Sequence, residues 1–280
     1  MASSPAHESA PFHQPAKSMN HYGQLVTYST GTAPHLCAGT CLNFHARDVL
    51  EKQMEDGEGG TILAAILHSR KVEFGFDVKF TDASVDFPDL SAGAAITLGG
   101  LLTAAQLFGA AAGGTALMSR AVETWRIGQP KTGSIAGTYF PDCVQASPAA
   151  AGTLTAFTPA AQGLTGLHPA GKLIWGTQGL SHGAGVVHGL TLTQELQLLP
   201  DEVSPAGTLL GVQTSNYMRT IALEILALTS GTAPSNGAVL TVTGAPSHAG
   251  GFRLENVERK MEIKGRQMYS ANAFWFNGLD

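Results

Sequence analysis

The feature that most constrains this chain is a pattern that returns after 147 residues. The segment KVEFGFDVKF alternates, with Phe74, Phe76, Val78 and Phe80 on one face and Glu73, Asp77 and Lys79 on the other. Period-two alternation marks a strand with one buried face. The segment RTIALEILAL carries Ile221, Leu223 and Ile225 at the same spacing. Taken alone it is ambiguous, because Leu226 and Leu228 occupy its other face and Ala, Leu and Glu favour helix. The match to the first segment makes it a strand. Gly60-Thr61-Ile62-Leu63 meets Gly207-Thr208-Leu209-Leu210 at the same offset. Further on, GAAITL (93–98) meets GAVLTV (237–242) at an offset of 144. Val122-Glu123-Thr124-Trp125 then meets Leu254-Glu255-Asn256-Val257, and Gly133 meets Gly265, at 132. Blocks that recur in one order point to an internal duplication, and the shrinking offset places an insertion in the first copy at about residues 99–119.

The expected organisation is an N-terminal arm (1–21), a first β-domain (22–143), an Ala/Pro/Gly-rich linker (144–170) and a second β-domain (171–280). Each copy reads as a leading strand, a loop, a long strand, a turn, a Gly-initiated strand and a closing hairpin. That hairpin is AVETWRIG with SIAGTYF in the first copy and RLENVERKMEIK with QMYSANAFWF in the second. Short strands separated by turn residues give a mainly β fold, a small sandwich or barrel in two tandem copies. Helical propensity predicts a short helix over 46–56 (ARDVLEKQMED) and another around Leu101, Ala105 and Phe108. The region of the second copy that answers to 46–56, GLTLTQELQL, alternates like a strand, so the copies are expected to diverge there.

Composition narrows the function. Only 13% of residues are charged and the net charge is −5, which argues against sequence-independent nucleic-acid binding through clustered Lys and Arg. A surface this poor in charge favours a chain covered by partners. The uncharged run from Ser91 to Ser119 is broken by Gly99-Gly100 and Gly113-Gly114, unlike the roughly 20 strongly apolar residues of a spanning helix. No apolar core of an export signal opens the chain. Cys37, Cys41 and Cys143 therefore read as reduced thiols.

Candidate chemistry is weak throughout. His35, Cys37, Cys41 and His45 have the residue types of zinc ligands, but their spacing departs from that of a knuckle. Gly179-Leu180-Ser181-His182-Gly183 matches the letters of a nucleophile elbow, although GAGVVHGL makes a poor start for the helix that should follow. Near Gly171-Lys172, Leu173 stands where a phosphate-binding loop needs Ser or Thr. Asp77, Asp82, Asp86 and Asp89 lack the glycine and glutamate frame of a calcium loop. The reading is no enzyme, no cofactor and no bound metal.

The order of blocks resembles that of the small β-rich domains of tailed-bacteriophage tail proteins, tail tubes and tube-like hubs. The second copy carries most of it: the strand over 219–228, the turn over 234–237, GAVLTVTG, then FRLENVERKMEIKGRQMYSANAFWF. The insertion in the first copy and the His/Pro-rich arm depart from that pattern. The resemblance implies a virion structural protein, made in the host cytoplasm, that packs with itself into a ring around a lumen, as a trimer or hexamer. Other tail or neck proteins would be its partners, and DNA would pass without specific binding along a polar, net acidic wall. Alternatives are a hub or neck ring, a capsid decoration or fibre protein, and a carbohydrate-binding module. Phe274, Trp275 and Phe276 put aromatics on both faces of the last strand, the expected subunit contact.

Overall fold

The computed structural model describes residues 24–30, 35–56, 62–80, 86–87, 89–90, 94–97, 115–141, 143, 150–155, 175–177, 179–203, 209–228, 231–246, 251–261 and 267–276. Among them are eleven strands and no helix. In chain order these are β1 (Gln24–Thr30), β2 (His35–Asp56), β3 (Ile62–Phe80), β4 (Ala94–Thr97), β5 (Thr115–Arg126) and β6 (Thr132–Phe140). They continue with β7 (Ala150–Thr155), β8 (Gly185–Val203), β9 (Leu209–Ala227), β10 (Arg253–Met261) and β11 (Gln267–Phe276).

One continuous sheet holds them all. Its antiparallel backbone runs β10-β11-β9-β8-β5-β6-β3-β2-β1. Strand β7 pairs antiparallel with β1 and parallel with β4, and β4 meets the start of β5 at Ala95 and Leu117. The ladder from β5 through β6, β3, β2, β1, β7 and β4 thus returns to β5. Strand β7 comes from within the stretch whose composition reads as linker, so part of 144–170 is built into the sheet.

The alternation anticipated in the sequence sets which face is buried. Phe74, Phe76, Val78 and Phe80 lie inside with Ile135, Tyr139, Met118 and Ala121. Ile221, Leu223 and Ile225 lie inside with Leu190, Leu192, Tyr269, Ala271 and Phe252. These are two separate clusters, and Trp275 packs against both.

The helix expected over 46–56 is absent: those residues continue β2, paired from Ala46 with Phe74 to Asp56 with Ile62. Leu50 and Met54 are 46% and 48% exposed, so no apolar stripe drives a helix onto the core. A ladder of backbone hydrogen bonds to β3 outweighs propensities worth only tenths of a kcal/mol per residue. The helix expected around Leu101 lies outside the described residues, as does the 1–21 arm. Two further expectations shift. The "leading strand" at 61–63 and 208–210 is the beginning of the long strand, because β3 and β9 start at Ile62 and Leu209. The GAVLTVTG stretch forms no regular strand. It makes single bridges from Val239 to Arg253 and from Thr243 to Ser181.

Strand ends and ladder breaks in the two halves fall at matching offsets. Moving β3 by 147 residues lands its ends on the ends of β9. The ladder of β2 is interrupted between Cys41 and Asn43 and between Val49 and Glu51. Moved by 146 residues, these become Val187/Gly189 and Glu195/Gln197, where β8 is interrupted. In the closing hairpins the break at Met118/Arg120 becomes Leu254/Asn256 on a shift of 136. The bridge of Ala95 to Leu117 becomes that of Val239 to Arg253. The closing hairpins therefore align at 136, not at 132 as their letters suggest. An error of four residues preserves the alternation, so a period-two pattern cannot detect it.

Candidate assembly interface

The two halves meet edge to edge. Residues 120–126 of β5 pair antiparallel with 189–195 of β8, Arg120 opposite Glu195 and Arg126 opposite Gly189. The start of β5 is occupied instead by β4, so one edge serves two neighbours in succession.

On the core side of this seam a strap formed by residues 86–87 and 89–90 is fastened by buried polar groups. Phe87 N donates to Glu123 Oε1 at 2.7 Å, and Leu90 N donates to Gln194 Oε1 at 3.0 Å. The Tyr217 hydroxyl donates to Asp89 Oδ1 at 2.5 Å. Lys131, 1% exposed, places Nζ 2.7 Å from Glu123 Oε2 and 2.8 Å from Asp86 Oδ1. That ammonium also sits over the rings of Phe80 (4.1 Å) and Trp125 (4.3 Å). Burial pushes the Glu123 carboxyl up to about 7 against the pull of Lys131, and Asp86 adds to the rise. Burial and the Asp89 carboxylate hold the Tyr217 hydroxyl above the usual phenol range. The strap thus ties β5 of the first half to β8 and β9 of the second.

Around the seam, the opposite face of the sheet carries small and polar side chains. A shallow depression of about 240 Å³ crosses β5, β8, β9 and β11, floored by Thr124, Thr191, Ala222, Ser270 and Asn272. Charges on this face come in opposed pairs, Arg120 with Glu195 (3.1 Å) and Arg126 with Glu224 (4.0 Å).

The last strand behaves as its alternation predicts. Phe274 and Phe276 stack on one face, centroids 6.0 Å apart. Trp275 points the other way, with Tyr217 edge-on at 5.7 Å and the Arg219 guanidinium 3.7 Å from its ring centroid. Strand β11 is interior, flanked by β9 and β10. Of the three aromatics Phe276 is 44% exposed, beside Met218 at 40%. One free edge belongs to β10, whose 256–261 meet no second strand among the described residues.

The chemically suggestive residues are dispersed. Between Cys41, in register with Val78, and His45, in register with Gly75, the bulge of β2 reverses the alternation. Those two positions therefore fall on opposite faces. Asp77 accepts from Asn43 Nδ2 at 2.6 Å, Asp86 serves Lys131 and Asp89 serves Tyr217, while Asp82 lies outside the described residues. Ser181 is exposed on a two-way backbone bridge to Thr243, and strand β8 follows it rather than a helix. The His182 ring accepts from Ala184 N, and burial lowers its basicity. Residues 171–174 lie outside the described residues. Cys143 is buried against Leu117, Phe140 and Val212.

The seam itself is what sequence reasoning missed. Its signal was Glu123, a charge between Ala121 and Trp125 on an otherwise apolar strand face, which a buried strand does not tolerate without a partner such as Lys131. No protein-family model matches the chain, and a comparison with curated proteins finds no similar one.

Proposed function

We propose that this chain is two copies of one β-domain, and that it is a virion structural protein closing into a ring or tube of a phage tail through which DNA passes. The observation that carries this reading is the β5–β8 seam, where one repeat joins the next by adding strands. Coincident ladder breaks and equal strand ends support the duplication. A repeat that joins its copy head to tail generates a ring when the rotation closes and a filament when it does not. An open β-edge that is not capped is a hazard that such closure removes.

Size favours three chains over six. Each chain brings four strands per repeat to the continuous antiparallel sheet. Three chains would make a barrel of about twenty-four strands, roughly 50 Å across at the backbone for strands ~4.8 Å apart and tilted ~40°. That leaves room for a double helix, and the small polar side chains around the seam suit a wall over which phosphates should slide. Six chains would double the width. The exposed Phe276, with Phe274 stacked beside it, remains the proposed contact with a neighbouring subunit or tail protein.

Mass measurement and negative-stain imaging of the purified chain test this directly. Rings with a lumen, in multiples of three chains, are expected. A monomer at micromolar concentration across low and high salt, with no rings or stacks, would overturn the reading.

A further inference from the structure

We infer that β10 of one chain adds to the outer edge of β2 of the next, with residues 256–261 antiparallel to 44–49 and Glu258 directly opposite Arg47. This rests on the ring reading and supplies its register. Within the chain, 120–126 of β5 pair with 189–195 of β8. Moving the β5 side by 136 and the β8 side by 146, the shifts fixed by the ladder breaks, gives that pairing and no other. Among the described residues, both edges lack a second partner strand in the same places. Strand β1 covers β2 only as far as Cys41, and residues 237–239 cover β10 only at Arg253 and Leu254.

Burial supports it independently. Trp125 and Leu196, one on each side of the internal seam, are 5% exposed. Their counterparts on the bare edges, Met261 and Leu50, are 69% and 46% exposed. Apolar side chains buried where the repeats meet within the chain are thus left in water where the chain ends. Glu123, fully buried at the seam, has as its counterpart the exposed Arg259.

Charge then selects the register. In the inferred alignment Glu258 faces Arg47 on the polar face, and Arg259 lies diagonal to Asp48 on the other. Sliding by one residue sets Glu258 against Asp48 and Arg259 against Arg47. Sliding by two in the same direction sets Lys260 against Arg47. Like charges directly opposite are unfavourable across strands. Sliding the other way separates Glu258 from Arg47.

Disulfide trapping tests the register. Directly opposed residues in an antiparallel pair lie within bridging range. Oxidised rings of Arg47→Cys/Glu258→Cys should run as covalently linked multimers on non-reducing gels. The slipped pair Arg47→Cys/Lys260→Cys should link at least roughly tenfold less. Arg47→Glu should weaken ring formation, and Arg47→Glu/Glu258→Arg should restore it. Rings that form normally while the slipped pair links better, or that fail to respond to the charge swap, would overturn this register and leave the ring standing. Absence of rings in the wild-type chain would overturn both.

Discussion

Lys131 and Glu123 show what a single residue decides in this sheet. A cation and a carboxylate, each almost fully buried, survive because two carboxylates, two aromatic rings and a backbone N–H surround them. With the Glu123 carboxyl up at about 7 in the fold against an ordinary 4.5, the folded state holds its proton more tightly than the unfolded chain. Its stabilising contribution is complete below about 4.5 and is lost as the pH rises towards 7. Chemical denaturation of the wild type from pH 4.5 to 7.5 should therefore show a component of falling stability that Glu123→Gln abolishes. An unchanged slope in the glutamine variant would place the titration elsewhere.

At the scale of the element, the long hairpins depend on their irregularities. Strands of 19 to 22 residues would twist and coil uncontrollably if perfectly regular, and bulges at fixed points bend them. Asn216 sits at such a break in β9 with φ of +52°, a left-handed conformation that Asn tolerates and a β-branched residue does not. Asn216→Gly should leave thermal stability almost unchanged, apart from loss of its 2.6 Å bond to Gln197. Asn216→Val should cost about 1–2 kcal/mol, read as a shift of the denaturation midpoint.

For the molecule as a whole, Trp275 is the side chain that touches both hydrophobic clusters. Its ring covers Arg219 and Tyr217, which line the seam from β9. Trp275→Ala should cost about 3 kcal/mol, near the low end for a large aromatic because the residue is only half-buried. The loss should appear in calorimetry as weakened cooperativity between the halves, with Phe276→Ala close to neutral in the unassembled chain. The reverse order of effects would make the last strand's aromatics a surface feature rather than an internal brace.

How much of this was legible beforehand follows from the reach of each physical signal. Alternation is local, so Phe74, Phe76, Val78 and Phe80 declared both their strand and its buried face, whereas Ile221, Leu223 and Ile225 were legible as a strand only through their match to that segment. The equal spacing of β3 and β9 was visible because their alternating residues recur at one offset. Helix formers at 46–56 misled because propensity yields to partners far along the chain, and β3 supplied a full ladder. The offset of the closing hairpins was set too short by four residues, because an even slip leaves every side chain on its face. The last strand's aromatics were rightly divided between faces, but sequence had no means of placing β11 inside the sheet and β10 at its edge. Strand order depends on which edges pair, and edges are backbone groups that every residue carries alike. The amino-acid sequence by itself determined most strands and their buried faces. Only the tertiary structure decided the seam between β5 and β8, the strap that locks it and the two edges left open, because each arises from contacts between residues tens of positions apart.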